Sequence, residues 1–415
     1  MRAPPRWLPS KLAKGSLDYC QSNAIHVLAT TVNATRPSSS SSVVKRTMPT
    51  HAMRRCFTTQ RQIGRHAWRP TRDCKRSCSA TTSSAHPDGK HTLVLSNGVV
   101  GAEKQAIALA EAIGLPYTVQ RVPSPSFSLP TRLALAMSRA ETPPPPFPTV
   151  AISCGRTTIP ASIALRAASS STLTVHIQRP DIAESHFDLV IAPRHDYADD
   201  ATTVPENVHL TDGSLHNVSP SSLSTARDEW SKELSSLPSP RLGMLIGGAV
   251  SRRWWQRPLA PELTADSLVA LVDSAAKAVK AAGGSLLLAT SRRTPADACA
   301  AAEAALGKAD VPSRVWSADA SPNPYLGLLA WSDHLLVTPD SVNMVSEACG
   351  SGKPVYVASP RDCRRRFLSF HERLLERGRT REWNGELEAR GNRTETESES
   401  DVSAAAARVR GCLDA

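Results

Sequence analysis

From His91 onward, short runs of Val, Ile and Leu alternate with longer Ala-rich stretches, and this alternation limits the possible folds more than any other feature of the chain. A strand of four or five apolar residues with no polar alternation suits burial on both faces, which happens where helices cover both sides of a parallel sheet. Candidate strands fall at 92–95, 149–153, 173–177 and 188–192, and again at 242–246, 285–289, 313–316, 334–337 and 354–357. The expectation is parallel α/β structure in two halves.

The halves are placed at residues 91–238 and 239–379. The stretch Ser219 to Pro240, with its Ser and Pro clusters, reads as the linker between them. Pro143 to Pro146 reads as a stiff loop inside the first half. Residues 380–415 form a polar tail, disordered up to about residue 400, after which Asp401 to Leu413 has the pattern of one more helix.

Charge separates the remaining segment from this body. Of 49 Lys and Arg and 38 Asp and Glu, residues 1–90 hold 16 and 3, a net +13, which leaves the rest of the chain at net −2. A nucleic-acid-binding protein is expected to carry its positive excess on the folded part, so no nucleic-acid partner is expected. The run Arg364-Arg365-Arg366 reads as a solvated helix face. Rich in Arg, Ser and Thr and poor in acids, residues 1–90 have the composition of an organellar targeting segment, with a disordered extension, or a misassigned start given that Met48 and Met53 could also initiate, as the alternatives. No apolar run reaches the roughly 18 residues needed to span a bilayer, so membrane association would be peripheral at most. Nine cysteines are scattered without a CxxC pair, which fits a reducing compartment. Cys74, Cys78, His66 and His86 lie in a segment with no hydrophobic pattern to hold ligands in place, and no metal site is expected.

Chemistry is sought where strands run into glycine turns. In the first half, Leu93 to Ser96 leads through Asn97-Gly98-Val99-Val100-Gly101 into a helix. Gly98 and Gly101 there either admit a ligand to the helix N-terminus or serve tight strand-to-helix packing. The full GxGxxG fingerprint is missing, and NAD is not expected. Arg156, in the turn Ser153-Cys154-Gly155-Arg156, is an anion clamp or a surface arginine. His195 and Asp196, just beyond the strand at 188–192, are the candidates for a general base and its orienting carboxylate, with backbone-binding loop residues as the alternative.

In the second half, Leu242 to Ile246 meets Gly247-Gly248, and Leu286 to Ala289 ends in Thr290-Ser291-Arg292-Arg293-Thr294-Pro295. Hydroxyls and guanidiniums beside a helix N-terminus suit a diphosphate. The most informative segment is His334 to Val357. Asp340 or Ser341 caps a short helix after a strand, and Glu347 lies on its second turn.

That segment resembles the nucleotide-sugar-binding region of two-domain, GT-B-type glycosyltransferases, in which a capped helix holds the diphosphate and a glutamate the ribose; Ser341 and Glu347 are the matching positions. Gly247-Gly248, Ser291 to Pro295, Asn323-Pro324-Tyr325 and the run 338–357 are similar more specifically to the Elm-type mitochondrial fission family. So are Gly98, Gly101 and Gln105, Gln178 with Pro180, the Phe187 to Asp196 stretch and Thr211-Asp212-Gly213. The resemblance spans roughly residues 91–375. Arg252-Arg253-Trp254-Trp255, the polyproline stretch and everything after about Glu382 depart from it.

The resemblance implies two Rossmann-like domains facing each other, with a crevice lined by Gly247, Gly248, Ser291, Arg292, Asp340, Ser341 and Glu347. It implies a fission factor that recruits a dynamin-related GTPase at the cytosolic face of the outer mitochondrial membrane, with no cofactor required and a nucleotide-diphosphate sugar as the ligand the crevice would take. The alternative function is an active nucleotide-sugar glycosyltransferase, and the alternative location, reached through the leader, is the mitochondrial matrix or a plastid. Fold resemblance alone does not choose between recruiter and enzyme.

Overall fold

The structure, a computed structural model, describes residues 89–122, 145–197, 204–248, 264–363, 365–388 and 400–414. The basic leader up to residue 88, Pro143 and Pro144, the Arg252 to Trp255 stretch, Arg364 and residues 389–399 of the polar tail lie outside the described residues.

The first half is built from β1 (Thr92–Ser96), α1 (Val100–Ile113), β2 (Tyr117–Arg121), β3 (Val150–Cys154), α2 (Ile159–Ala168), β4 (Leu173–Ile177), β5 (Leu189–Pro193) and β6 (Val208–Thr211). They form one sheet in the order β2-β1-β3-β4-β5-β6, and each neighbouring pair is parallel. The central strands are buried along their whole length, as unbroken apolar runs require.

The second half follows α3 (Pro220–Glu229) and α4 (Ser231–Leu234). It comprises β7 (Arg241–Ile246), α5 (Ala265–Ala281), β8 (Ser285–Thr290), α6 (Ala296–Lys308), β9 (Ser313–Trp316), α7 (Tyr325–Trp331), β10 (His334–Val337), α8 (Val342–Gly350), β11 (Val355–Val357), α9 (Arg365–Glu376) and β12 (Arg381–Glu382). Its sheet runs β12-β11-β10-β7-β8-β9, again parallel throughout. Counted within the half, this is the 3-2-1-4-5-6 order of a dinucleotide-type Rossmann sheet, whereas the first half has a flavodoxin-like order. The expected pair of Rossmann-like domains is present.

All nine strands read from the sequence are found, within one residue at each end. The three that escape notice, β2, β6 and β12, lie toward or at the sheet margins. β2 shows a burial pattern in which no residue is fully covered, and β12 has two residues, so neither carries the apolar signature of a central strand.

The stretch read as a linker proves to be helical. Ser219 accepts a hydrogen bond from the Ser222 N–H while the Ser222 hydroxyl takes the Ser219 N–H, a capping box followed by Pro220 in the first turn. The Ser and Pro cluster is therefore helix-start chemistry, and not a flexible connection. Trp230, Leu234 and Leu237 then enter the second half's core. Trp230 packs edge-on to Trp316 at 5.9 Å, and Arg227 stacks over Trp331 at 4.3 Å while its carbonyl accepts the Trp331 indole N–H. Residues 220–237 thus belong to the packing of the second sheet, ahead of the 238/239 division.

The terminal helix α10 (Asp401–Leu413) returns to the first half. Its Ala405, Ala406 and Val409 share a core with Ala106, Leu109, Ala110 and Ile113 of α1. The Asp401 carboxylate accepts the N–H groups of Asp212 and Gly213 at 3.1 and 2.9 Å, and Arg410 donates to the Ala112 carbonyl.

At Gly327, in the middle of α7, an added Cβ would lie less than 3.0 Å from the Trp230 ring. Gly327→Ala should destabilise the second half by about 1–3 kcal/mol through overpacking. The urea midpoint should fall with an unchanged slope, whereas Gly307→Ala, where nothing lies within 4 Å, should not lower it.

Candidate functional site

Open parallel sheets bind ligands beyond the carboxyl ends of their strands, at the place where the strand order reverses. In the first half that place is between β1 and β3, and in the second between β7 and β10. Of the turn residues picked from the sequence, Gly98 follows β1, Arg156 follows β3, Gly247 and Gly248 follow β7, and Asp340 and Ser341 follow β10, whereas Ser291 and Arg292 follow β8 and His195 and Asp196 follow β5.

At the first reversal, the Asn97 amide donates to the Thr157 hydroxyl at 2.6 Å, and its carbonyl oxygen accepts the Val99 N–H at 2.9 Å. Gly98 adopts φ +81°, a left-handed conformation that a side chain disfavours, so the turn itself accounts for this glycine. Glu103, in the first turn of α1, pairs with Arg121 and with the Ser96 hydroxyl. Arg156 is 55% exposed and approaches Asp181 at 4.0 Å. Gly101 is already inside α1, and a Cβ there would lie 2.8 Å from the amide nitrogen of Asn343. It therefore makes room for the second half, and not for a ligand on the turn.

At the second reversal three loops are tied together. Thr338 accepts the Gly247 N–H at 2.8 Å and donates to Asp340 Oδ1 at 2.7 Å; Asp340 Oδ2 accepts the Gly248 N–H at 2.8 Å and lies 3.5 Å from an Arg293 nitrogen. Thr294 donates to the Gly247 carbonyl and accepts the Ser291 N–H. The glycine pair's backbone donors are thus both taken by side chains of the chain itself, the Gly247 N–H by the Thr338 hydroxyl and the Gly248 N–H by the Asp340 carboxylate. Arg292 is exposed. Ser341 is buried and caps α8 by accepting the Met344 N–H at 3.4 Å.

Glu347, on the second turn of α8, accepts a 2.5 Å hydrogen bond from the Tyr325 hydroxyl. Lys104 of α1 places its ammonium 5.2 Å from the centre of the Tyr325 ring. Burial raises the Glu347 carboxyl above its ordinary range, opposed by the Lys104 charge and by the Tyr325 hydrogen bond. Tyr325 is pushed well up by burial and by the adjoining carboxylate. Lys104 and Asn343 were not singled out from the sequence, because each acts across a contact between segments distant in the chain.

His195 and Asp196 occupy a single 3-10 turn after β5. His195 packs against Phe367 and Phe370 of α9 at 5.5 Å each; its Nε2 lies 3.7 Å from Asp196 Oδ1, and its buried Nδ1 has no hydrogen-bond partner. Burial and the charges of Arg366, Arg373 and His371 push its pKa down to about 4. Burial raises the Asp196 carboxyl, against the pull of Arg366 and Arg179. A buried imidazole with so low a proton affinity is a weak base, and the neighbouring carboxylate is beyond hydrogen-bond reach of it. Among the described residues no group of three or more His, Cys, Asp and Glu is placed to hold a metal ion.

Two outcomes follow from these contacts. Tyr325→Phe leaves a partly buried carboxyl without its donor and should cost about 1–3 kcal/mol of stability at neutral pH, measured by chemical unfolding. His195 folds with a pKa near 4 but titrates near 6.5 when unfolded, so between those values the unfolded chain binds more protons and stability falls as pH falls. His216 and His371, also lowered by burial, add in the same direction. Unfolding midpoints should therefore be steady above about pH 7 and decline toward pH 4, and His195→Gln should flatten the decline.

The model of the family described as Mitochondrial fission ELM1 matches residues 100–413 of this chain. A protein of Arabidopsis thaliana named mitochondrial fission protein ELM1 is 37% identical over 258 residues, which is 57% of this chain and 58% of that protein. The chain thus spans less than two thirds of that relative's length. A protein of Rickettsia prowazekii (strain Madrid E), named uncharacterized protein RP120, is 25% identical over 270 residues, 57% of this chain and 72% of that one. Among solved structures, Acinetobacter baumannii MurG aligns over 78% of this chain and 90% of its own, with 12% identity and a TM-score of 0.38. The ADP-heptose LPS heptosyltransferase II of E. coli aligns over 78% and 98%, with 13% identity and a TM-score of 0.40. The fold assignment rests on the two strand orders, and the family assignment on the match that runs from the start of α1 to the end of α10: the chain belongs to the mitochondrial fission ELM1 family.

Proposed function

We propose that the chain serves mitochondrial division by binding, recruiting a dynamin-related GTPase to the cytosolic face of the outer mitochondrial membrane on a domain pair of sugar-transfer type. Membership of the fission family supports the process. The observation that carries the choice of recruiter over enzyme is the self-occupied second reversal. Asp340 takes the glycine-pair donor, and Tyr325 takes the Glu347 carboxylate. A nucleotide-diphosphate sugar would have to displace both. Transfer would also need a base at the acceptor, and the imidazole nearest that role is buried against two phenylalanines.

Among the described residues no helix is long and apolar enough to cross a membrane. Attachment on this reading comes from protein contacts or from the basic leader meeting anionic lipid. The glycosyltransferase alternative draws on Gly247, Gly248 and Ser341, which lie at the second reversal, and on Glu347 in the second turn of α8.

Loss of the protein should leave long, connected mitochondria with the GTPase still cytosolic, scored by imaging both. A variant carrying Ser341→Ala and Glu347→Ala should still restore fission if it folds. Normal mitochondria in cells lacking the protein, together with an accumulating unglycosylated lipid or protein, would overturn recruitment in favour of the enzyme.

A further inference from the structure

One side of α8 is spent on the first half of the molecule. Asn343, Ser346 and Gly350, at i, i+3 and i+7, line that side, while Val342, Val345, Ala348 and Cys349 face the second half's core. The Asn343 carbonyl oxygen accepts from the Ser214 hydroxyl at 2.6 Å and from the Gln105 amide at 3.4 Å. Ser346 accepts the Ser214 N–H at 3.0 Å. Gly350 receives the edge of the His216 ring.

Each of these approaches depends on a glycine. A Cβ would come within 3.0 Å of Asn343 at Gly101, of Ser346 at Gly213 and of His216 at Gly350. The three positions come from both halves and from well-separated parts of the sequence, yet all fit one helix face. Lys104 over Tyr325, His195 against Phe367 and Phe370, and the Arg377 to Asp212 ion pair extend the same contact on either side.

We infer that this seam locks the two Rossmann-like halves in one closed arrangement, so that the molecule presents a fixed surface drawn from both and does not hinge open to admit a nucleotide. Ser214 and Ser346 are 5% and 7% exposed, so opening would leave hydrogen-bonding groups unpaired on both sides until water reached them. The inference goes beyond recruitment, because it holds whatever partner the surface serves.

The test is a distance measurement between spin labels on genetically encoded amino acids at exposed Ser170 and Glu303, one in each half of the full chain. The expected result is a single narrow distribution, unchanged by millimolar UDP-glucose or ADP. Gly101→Val should wedge the seam and shift or broaden the distribution, and Asn343→Ala should broaden it without introducing any clash. Circular dichroism reports whether each variant is folded, and should Gly101→Val fail to fold, Asn343→Ala decides. Two populations in the unmodified chain, a shift on adding either nucleotide, or a folded Asn343→Ala variant with an unaltered distribution would overturn the lock.

Discussion

Helix α8 serves two packing surfaces at once, and the arrangement of the molecule depends on that. Its apolar side completes the core beneath β10 and β11, and its small polar side meets the first half. A nine-residue helix has little surface to divide, so the second role requires side chains small enough to bring backbones together. Asn, Ser and Gly at one-turn spacing meet that need, opposed by glycines at 101 and 213. The result is close polar contact where a nucleotide-binding crevice would be expected to stay open. The ordinary site geometry of a Rossmann sheet is kept, and its free valences are turned toward the protein itself.

Electrostatics at the second reversal point in the same direction. The Gly248 N–H and Arg293 together would favour an anion there, and Asp340 supplies one at 2.8 and 3.5 Å. Because the carboxylate belongs to the chain, no translational freedom is lost when it occupies the seat, whereas a diphosphate would incur that loss. Glu347 is handled similarly, with a hydroxyl donor at 2.5 Å and a cation from the other half nearby. These groups hold the site together with or without a ligand.

Central strands were legible because burial on both faces leaves no room for polar alternation, so Leu93 to Leu95 or Leu286 to Leu288 can hardly be read otherwise. Marginal strands such as Tyr117–Arg121 were not, since a partly solvated strand has no such signature. Ser219 to Ser222 misled for a definable reason: the residues that cap a helix are also the residues of linkers, and only the burial of Trp230 and Leu234 separates the two. In the site, glycines and capping residues mark strand ends locally, which is why the turns after β1, β7, β8 and β10 could be picked out from the sequence. The use made of those points was not readable, because Asp340 to Gly248, Tyr325 to Glu347 and Asn343 to Ser214 are contacts across 92, 22 and 129 residues of chain. The stripe Asn343, Ser346, Gly350 was the one available signal, a polar and small side opposite an apolar one on a helix too short to be solvated.

On the proposed recruiter reading, the groups a nucleotide would meet at the second reversal already have partners within the chain. On that reading, a ribose at Glu347 would compete with the Tyr325 hydroxyl already bonded there, and a phosphate at the Gly248 N–H with the Asp340 carboxylate. Rate acceleration needs more than binding: it needs groups whose interaction strengthens as charge develops in the transition state. His195, with a pKa near 4 and rings of Phe367 and Phe370 against it, is poorly placed to accept a proton at neutral pH. On the proposed reading, the Gly248 N–H, the Glu347 carboxyl and the His195 ring are all engaged in contacts within the chain, and sugar transfer would need such groups free to meet a substrate. If the seam holds the halves together as inferred, those contacts would serve the constancy of the outer surface, which is what the proposed docking role requires.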